Sequence, residues 1–270
     1  MSVGAGAFVY FGADPAGAAG LVEAAVEVLE SGLGLTKLSQ MSLYRMPFHQ
    51  GKWRGYARKA VDEALANADV AVINLRVGSP DSPDMVAKLQ VRSDPDPHRA
   101  PTGPRSIGFV CETRAWTPDV VVAVGRQLLE AAARLGSPIS GGVFRAPTFH
   151  QGHCEIGDTI DYDPEAPAFR DRMSFDRKDY LRWEKARRLY PVTLLGPKLA
   201  SQVTADQATA AGAIAVQEIN GSLLIDAYPT IVETWDPEFL RATLELRRWL
   251  WPNTIQNPAD NVGLGFKTRR

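Results

Sequence analysis

The chain is poor in cysteine: of its 270 residues only Cys111 and Cys154 are thiols, which excludes a disulfide framework and favours a reducing compartment. It also lacks a bias of charge. Thirty Lys plus Arg stand against 31 Asp plus Glu, so a generally basic nucleic-acid binder is excluded. Met1 to Gly20 contains no Lys or Arg, and its apolar stretch is only Ala7 to Phe11, so neither a secretory signal nor a membrane span is expected there. A cytoplasmic protein follows as the expectation. What remains, 45% hydrophobic and 23% charged residues, is the composition of a chain that folds.

Apolar patterning divides that chain into elements. Phe8 to Phe11 reads as a strand, Asp14-Pro15 as a cap with proline at the first helical position, and Leu21, Val22, Ala25, Val28 and Leu29 as one helical face stopped by Gly32 and Gly34. Leu35 to Met46 alternates as a strand, and Tyr56 to Ala68 reads as an Ala-rich helix. Strands are expected at Val70 to Val77, Met85 to Val91 and Ser106 to Cys111, the last two separated by the Pro-rich loop Ser93 to Pro104. Thr117-Pro118-Asp119 opens a helix through Leu135 that Gly136 ends, and Ile139 to Arg145 is the next strand. Beyond it, Ala146 to Ser174 has no sustained period and marks the expected boundary. Asp176 to Tyr190 then predicts a charged helix, Val192 to Leu195 an apolar strand, and Lys198 to Val203 a short helix. Asn220-Gly221 between Ala213 to Ile219 and Ser222 to Ala227 is a hairpin signal, and Asp236-Pro237 caps a final helix, Glu238 to Leu250. Hairpins mixed with helices imply an α+β fold of antiparallel sheet and helix. Two halves are expected, 1–145 and 176–270, joined by an acidic segment, 146–175. A faint echo of strand, helix, strands, helix in both halves suggests a pseudo-duplicated arrangement.

Catalytic patterns fail one by one. Gly12 to Gly17 follows a strand, but Ala18-Ala19 stand where a phosphate loop needs Lys and Ser or Thr. His150, His153 and Cys154, with Glu155 and Asp158 beyond, could gather a metal, yet there is no second ligand pair to close a tetrahedron. Asp176-Arg177-Lys178 has a nuclease-like acid-x-Lys pattern but opens a helix, where an acid is better explained as a cap. Trp183, Trp235, Trp249 and Trp251 read as packing. The expectation is no enzyme, no metal and no cofactor, with a metal-dependent hydrolase at His150 and His153 and a scaffold or adaptor as the alternatives.

The least average segment is Cys154 to Phe169. Glu155, Asp158, Asp161, Asp163 and Glu165 lie in it with no basic residue, whereas Asp176 to Tyr190 carries six bases against three acids. An acidic surface of this kind accelerates encounter with a basic partner. Tyr162 and Phe169 are the nearby candidates for a buried anchor.

Trp183 to Ala200 (WEKARRLYPVTLLGPKLA), Gly221 to Pro229 (GSLLIDAYP) and Trp235 to Leu240 (WDPEFL) together resemble bacterial polymorphic-toxin immunity proteins, the Immunity protein 52 family and type VI immunity proteins of the TsiV kind. The helix and strand between Arg114 and Arg145, ending PISGGVFR, fit the N-terminal half of that pattern. The resemblance covers about half the chain. It implies a non-enzymatic cytoplasmic α+β protein that binds and blocks a cognate toxin, often a nuclease, with no direct contact to nucleic acid or membrane. It carries over no functional residue. The acids and the two aromatics at Glu155, Asp158, Asp161, Tyr162, Asp163, Glu165 and Phe169 are therefore the toxin-binding expectation.

Overall fold

A computed structural model of the chain describes residues 3–11, 18–34, 40–45, 49–50, 54–55, 59–60, 63, 70–77, 87–93, 104–148, 152, 156, 185–254 and 263–265. Its centre is β1 (Gly4–Phe11), an apolar strand buried at all eight positions. Such a strand needs cover on both faces and partners on both edges. Its edges pair with β7 (Pro104–Glu112) and β8 (Pro138–Ala146), both antiparallel. From there the sheet grows outward, through β6 (Ala87–Ser93), β5 (Val70–Val77), β2 (Gln40–Arg45) and β3 (His49–Gln50) on one side. The other side continues through β9 (Val192–Leu195) and β11 (Ser222–Asp226) to β10 (Ala215–Ile219), while β4 (Arg54–Gly55) pairs β2 off the main path. The eleven strands form one sheet, every ladder antiparallel, in an α+β fold.

Alternation along β1 assigns the layers. Ala5, Ala7, Val9 and Phe11 share a core with α1 (Ala18–Gly32) and α2 (Pro118–Leu135). Helix α1 contributes Leu21, Val22, Ala25 and Leu29, the spacing of one helical face, and Trp116 Nε1 donates to the Leu33 carbonyl just past its end. Helix α2 starts with Pro118 after an extended Thr117 and buries Val121, Val124, Leu128, Leu129 and Ala132. Gly125 lets α2 approach the sheet: a Cβ there would lie 2.9 Å from Val143 Cγ2 and 3.1 Å from Ala7 Cβ. The same core takes in Val192, Leu194, Ile219 and Leu224 from the C-terminal strands.

Phe8 and Tyr10 point to the opposite face, into a cluster with Val110, Phe144, Ile156 and Tyr190. The Phe8 ring lies 4.8 Å from that of Tyr10 and 5.0 Å, edge-on, from that of Tyr190. Arg187 is buried there too, donating from Nη1 to Tyr10 Oη at 2.9 Å with its guanidinium carbon 6.0 Å from the Phe8 ring centre. Beyond it on this face, α3 (Pro197–Ala200), α4 (Ala205–Ala210), α5 (Pro237–Ala242) and α6 (Leu244–Leu250) join a core of Ile139, Leu195, Leu199, Ala208, Leu223, Ile225, Phe239, Leu246 and Leu250.

Two expectations need correction, and one helix was not foreseen. The charged helix does not reach Tyr190: Lys185 to Tyr190 is not helical, and Ala186 bridges Thr254 instead. Pro191 disfavours helix at Tyr190, and the basic residues there serve the core. The final helix is two, α5 and α6, split at Thr243, whose Oγ1 donates to the Phe239 carbonyl at 2.7 Å. Helix α4, which the pattern of apolar residues did not indicate, is held by a reciprocal cap between Thr204 and Gln207. The Asp14-Pro15 cap and most of the Tyr56 to Ala68 helix lie outside the described residues.

Candidate functional site

Glu155, Asp158, Asp161, Tyr162, Asp163, Glu165 and Phe169 all lie outside the described residues, as do His150, His153 and Cys154. Two neighbours of theirs are described. Gly152 donates its N–H to the Thr148 carbonyl, and Ile156 is fully buried, its side chain against Gly108 of β7. Among the described residues no three His, Cys, Asp or Glu side chains converge as a metal site.

The reactive groups that are described are held in unreactive states or lie apart. Cys111 is buried on β7, its Sγ donating to the Ala5 carbonyl at 3.4 Å. Burial, reinforced by the adjacent Glu112 charge, pushes its thiol up to about 12, so no thiolate is present near neutral pH. Lys88 on β6 stands opposite Val110 in the ladder, and burial pulls its amine down to about 8. Glu233 is held above the ordinary carboxylate range by desolvation, against the pull of Arg145 and with help from Asp236. No two of these three groups belong to one cluster.

A cleft opens under α5 and α6, lined by Arg188, Leu189, Thr234, Arg247, Leu250 and Trp251 among others. Its free space is about 20 Å³, enough for one water molecule and too little for a substrate. Both arginines have partners within the fold. Arg188 stacks with its guanidinium carbon 4.4 Å from the Trp235 ring centre, and Arg247 Nη1 donates to the Leu240 carbonyl at 3.0 Å. The tryptophans pack as expected where they are described: Trp251 is buried and Trp249 lies against the C-terminal core.

At the C-terminal end of the sheet the geometry is different, because an ordered strand meets solvent there. Asn220 (φ 46°) and Gly221 (φ 77°) form a two-residue turn, and the Asn220 Nδ2 donates to the Arg134 carbonyl at the end of α2. Arg126 of α2 pairs with Asp226 at the other end of β11. The hairpin is thus tied to α2 at both ends. Its outer strand, β10, leaves Ala215, Gln217 and Glu218 exposed and Val216 half-buried, with Ile214 60% exposed just before it. Sequence reading found this hairpin from Asn-Gly but not that it ends the sheet, since strand order is not written in local pattern.

With that geometry in hand, comparison with solved structures finds a likeness in fold. The fold is similar to that of a Pseudomonas aeruginosa T6SS protein, PA0821. The two superpose with a TM-score of 0.60 at 13% sequence identity, over 94% of this chain and 73% of the other. No family model matches the sequence, and no curated protein does. At such identity the likeness is one of fold, and at such coverage it cannot come from one half of the chain alone. Within that fold, the apolar runs of the segments that resemble immunity proteins are interior: TLLG forms β9 and the turn after it, and SLLID forms β11. Their apolar regularity is explained by packing between β8, β9 and β11, so it marks architecture and leaves the contact surface to other residues.

Proposed function

We propose that this protein is a non-catalytic immunity protein of a type VI secretion setting, which binds a cognate effector, a nuclease by the sequence resemblance, and blocks it inside the cytoplasm. The single observation that carries the reading is the likeness in fold, over 94% of the chain, to a T6SS protein. The finer reading, an immunity protein, comes from the residue-level resemblance of Trp183 to Ala200, Gly221 to Pro229 and Trp235 to Leu240, a pattern that no family model matches. Cys111, buried on β7, is held as a thiol. The acids from Glu155 to Glu165 supply the electrostatic means of meeting a basic nuclease channel, chiefly by raising the association rate. Tyr162 and Phe169 supply apolar anchors.

Co-expression with the toxin encoded beside this gene tests the reading. Protection of the cell and a stoichiometric complex are expected. Reversing Glu155, Asp158, Asp161, Asp163 and Glu165 to Lys should slow association without altering the melting curve, and added salt should slow the wild type more than the variant. No protection against any genetically adjacent toxin overturns the assignment; unchanged association after five reversals removes the acidic segment from it.

A further inference from the structure

We infer that the outer edge of β10 is a docking edge that receives an extended strand of the effector, antiparallel, with a basic residue placed opposite Glu218. The inference rests on the immunity reading for the identity of the partner, and on the hairpin itself for its chemistry. The two-residue turn makes Ile219 and Ser222 a hydrogen-bonded pair, and alternation makes Gln217 and Leu224 the next. Val216 and Glu218 therefore aim their backbone N–H and C=O groups away from β11. Among the described residues no strand takes them, for β10 is the end of the sheet. Only another extended backbone matches that row of donors and acceptors.

Three features favour an occupant over plain solvent. The hairpin is anchored at both ends to α2, by Asn220 to the Arg134 carbonyl and by Asp226 to Arg126, so little order remains to be imposed on binding. Apolar surface is left beside the edge at Ile214, 60% exposed, and at the half-buried Val216. Glu218, exposed on the same face as Val216, discourages pairing of β10 with a second copy of itself, where a two-fold about Gln217 would offer Glu218 no basic partner. The same carboxylate rewards a Lys or Arg. In antiparallel register the partner strand then reads, from its N-terminus, a basic residue opposite Glu218 and an apolar residue two positions on opposite Val216.

Val216→Pro is the decisive variant, because it deletes an outward N–H that no strand uses, and proline is tolerated on an edge strand in that orientation. Bound to the co-purified adjacent toxin, the wild type should show amide exchange at Val216 and Glu218 slowed at least tenfold, and Val216→Pro should bind about tenfold more weakly. Glu218→Lys, at an exposed position, should weaken binding further at low salt with its melting curve unchanged. A second arm needs no toxin: a capped heptapeptide alternating threonine with Lys, Val and Val in that order, at millimolar concentration, should shift the Val216 and Glu218 amide resonances and spare that of Gln217. Toxin bound by the wild type with equal affinity for Val216→Pro overturns the docking edge and leaves the immunity reading standing. Absence of any toxin complex overturns the immunity reading, and the peptide arm then decides the edge: resonances that do not move dispose of it.

Discussion

Lys88 shows what a single charge does when the sheet closes over it. Burial lowers its amine to about 8, so the folded chain holds that proton less tightly than the unfolded chain does. The unfolded state thus binds more protons between about pH 8 and the ordinary lysine range near 10.4, and linkage makes stability rise with pH across that window. Below it, where Lys88 is charged in both states, the destabilisation is present in full. Lys88 retains partial contact with water, so its contribution is on the order of 2 kcal/mol and not the full value of the shift. Lys88→Met should therefore raise the urea midpoint at pH 7, and the gain over wild type should vanish as the pH passes 10. An equal gain at both pH values would show that the amine is not buried at a cost. Arg187 carries the complementary lesson for reading sequences. It falls in the stretch Asp176 to Tyr190 that reads as a charged helix, yet it is a fully buried donor to Tyr10, 177 positions away. A basic residue in a charged stretch gives no local sign that an aromatic partner from the first strand is waiting for it.

Elements with local causes were legible and those with tertiary causes were not. Strands β5 and β9 fall where the apolar runs end, at Val70–Val77 and Val192–Leu195, and the β10–β11 hairpin sits on its Asn-Gly turn. Asp236 caps α5 as its spacing suggested, with Oδ1 accepting from the N–H groups of Glu238 and Phe239. The split at Thr243 was hidden, because the apolar period continues through it and only the residue's own backbone, φ −101° and ψ 18°, departs from the helix. The proposed site was the least legible part, since charge content marks an acidic stretch but not the surface it faces. Gly125 shows how packing reverses an element's ordinary preference. Mid-helix Gly→Ala stabilises an exposed helix by roughly 1 kcal/mol. Here the added methyl would lie 2.9 Å from Val143 Cγ2 and 3.1 Å from Ala7, both on strands at the centre of the sheet. Gly125→Ala should instead destabilise by roughly 1–3 kcal/mol, the overpacking range. A variant as stable as wild type in urea would mean that α2 rides higher on the sheet than described.

At the scale of the molecule, the core beneath α1 and α2 draws on Ala5, Ala7 and Val9 from the first strand and on Val192, Leu194, Ile219 and Leu224 from the last ones. Shared burial of that kind couples the segments before residue 145 and after residue 176. One calorimetric transition is expected, with the van't Hoff and calorimetric enthalpies equal, and two separable transitions would show that the halves unfold independently. That coupling was not legible, because the pairing of β8 with β9 joins residues on opposite sides of the acidic segment and leaves no mark in either. The central position of β1 has a consequence for biosynthesis. This strand is made before either of its neighbours, for Gly4 pairs with Glu112 on one edge and Ala146 on the other. At translation rates of about 10 residues per second, its two partners emerge only about 10 s or more later. During that interval Phe8-Val9-Tyr10-Phe11 is a β-forming run without its two neighbouring strands, open to pairing with other chains until they are made.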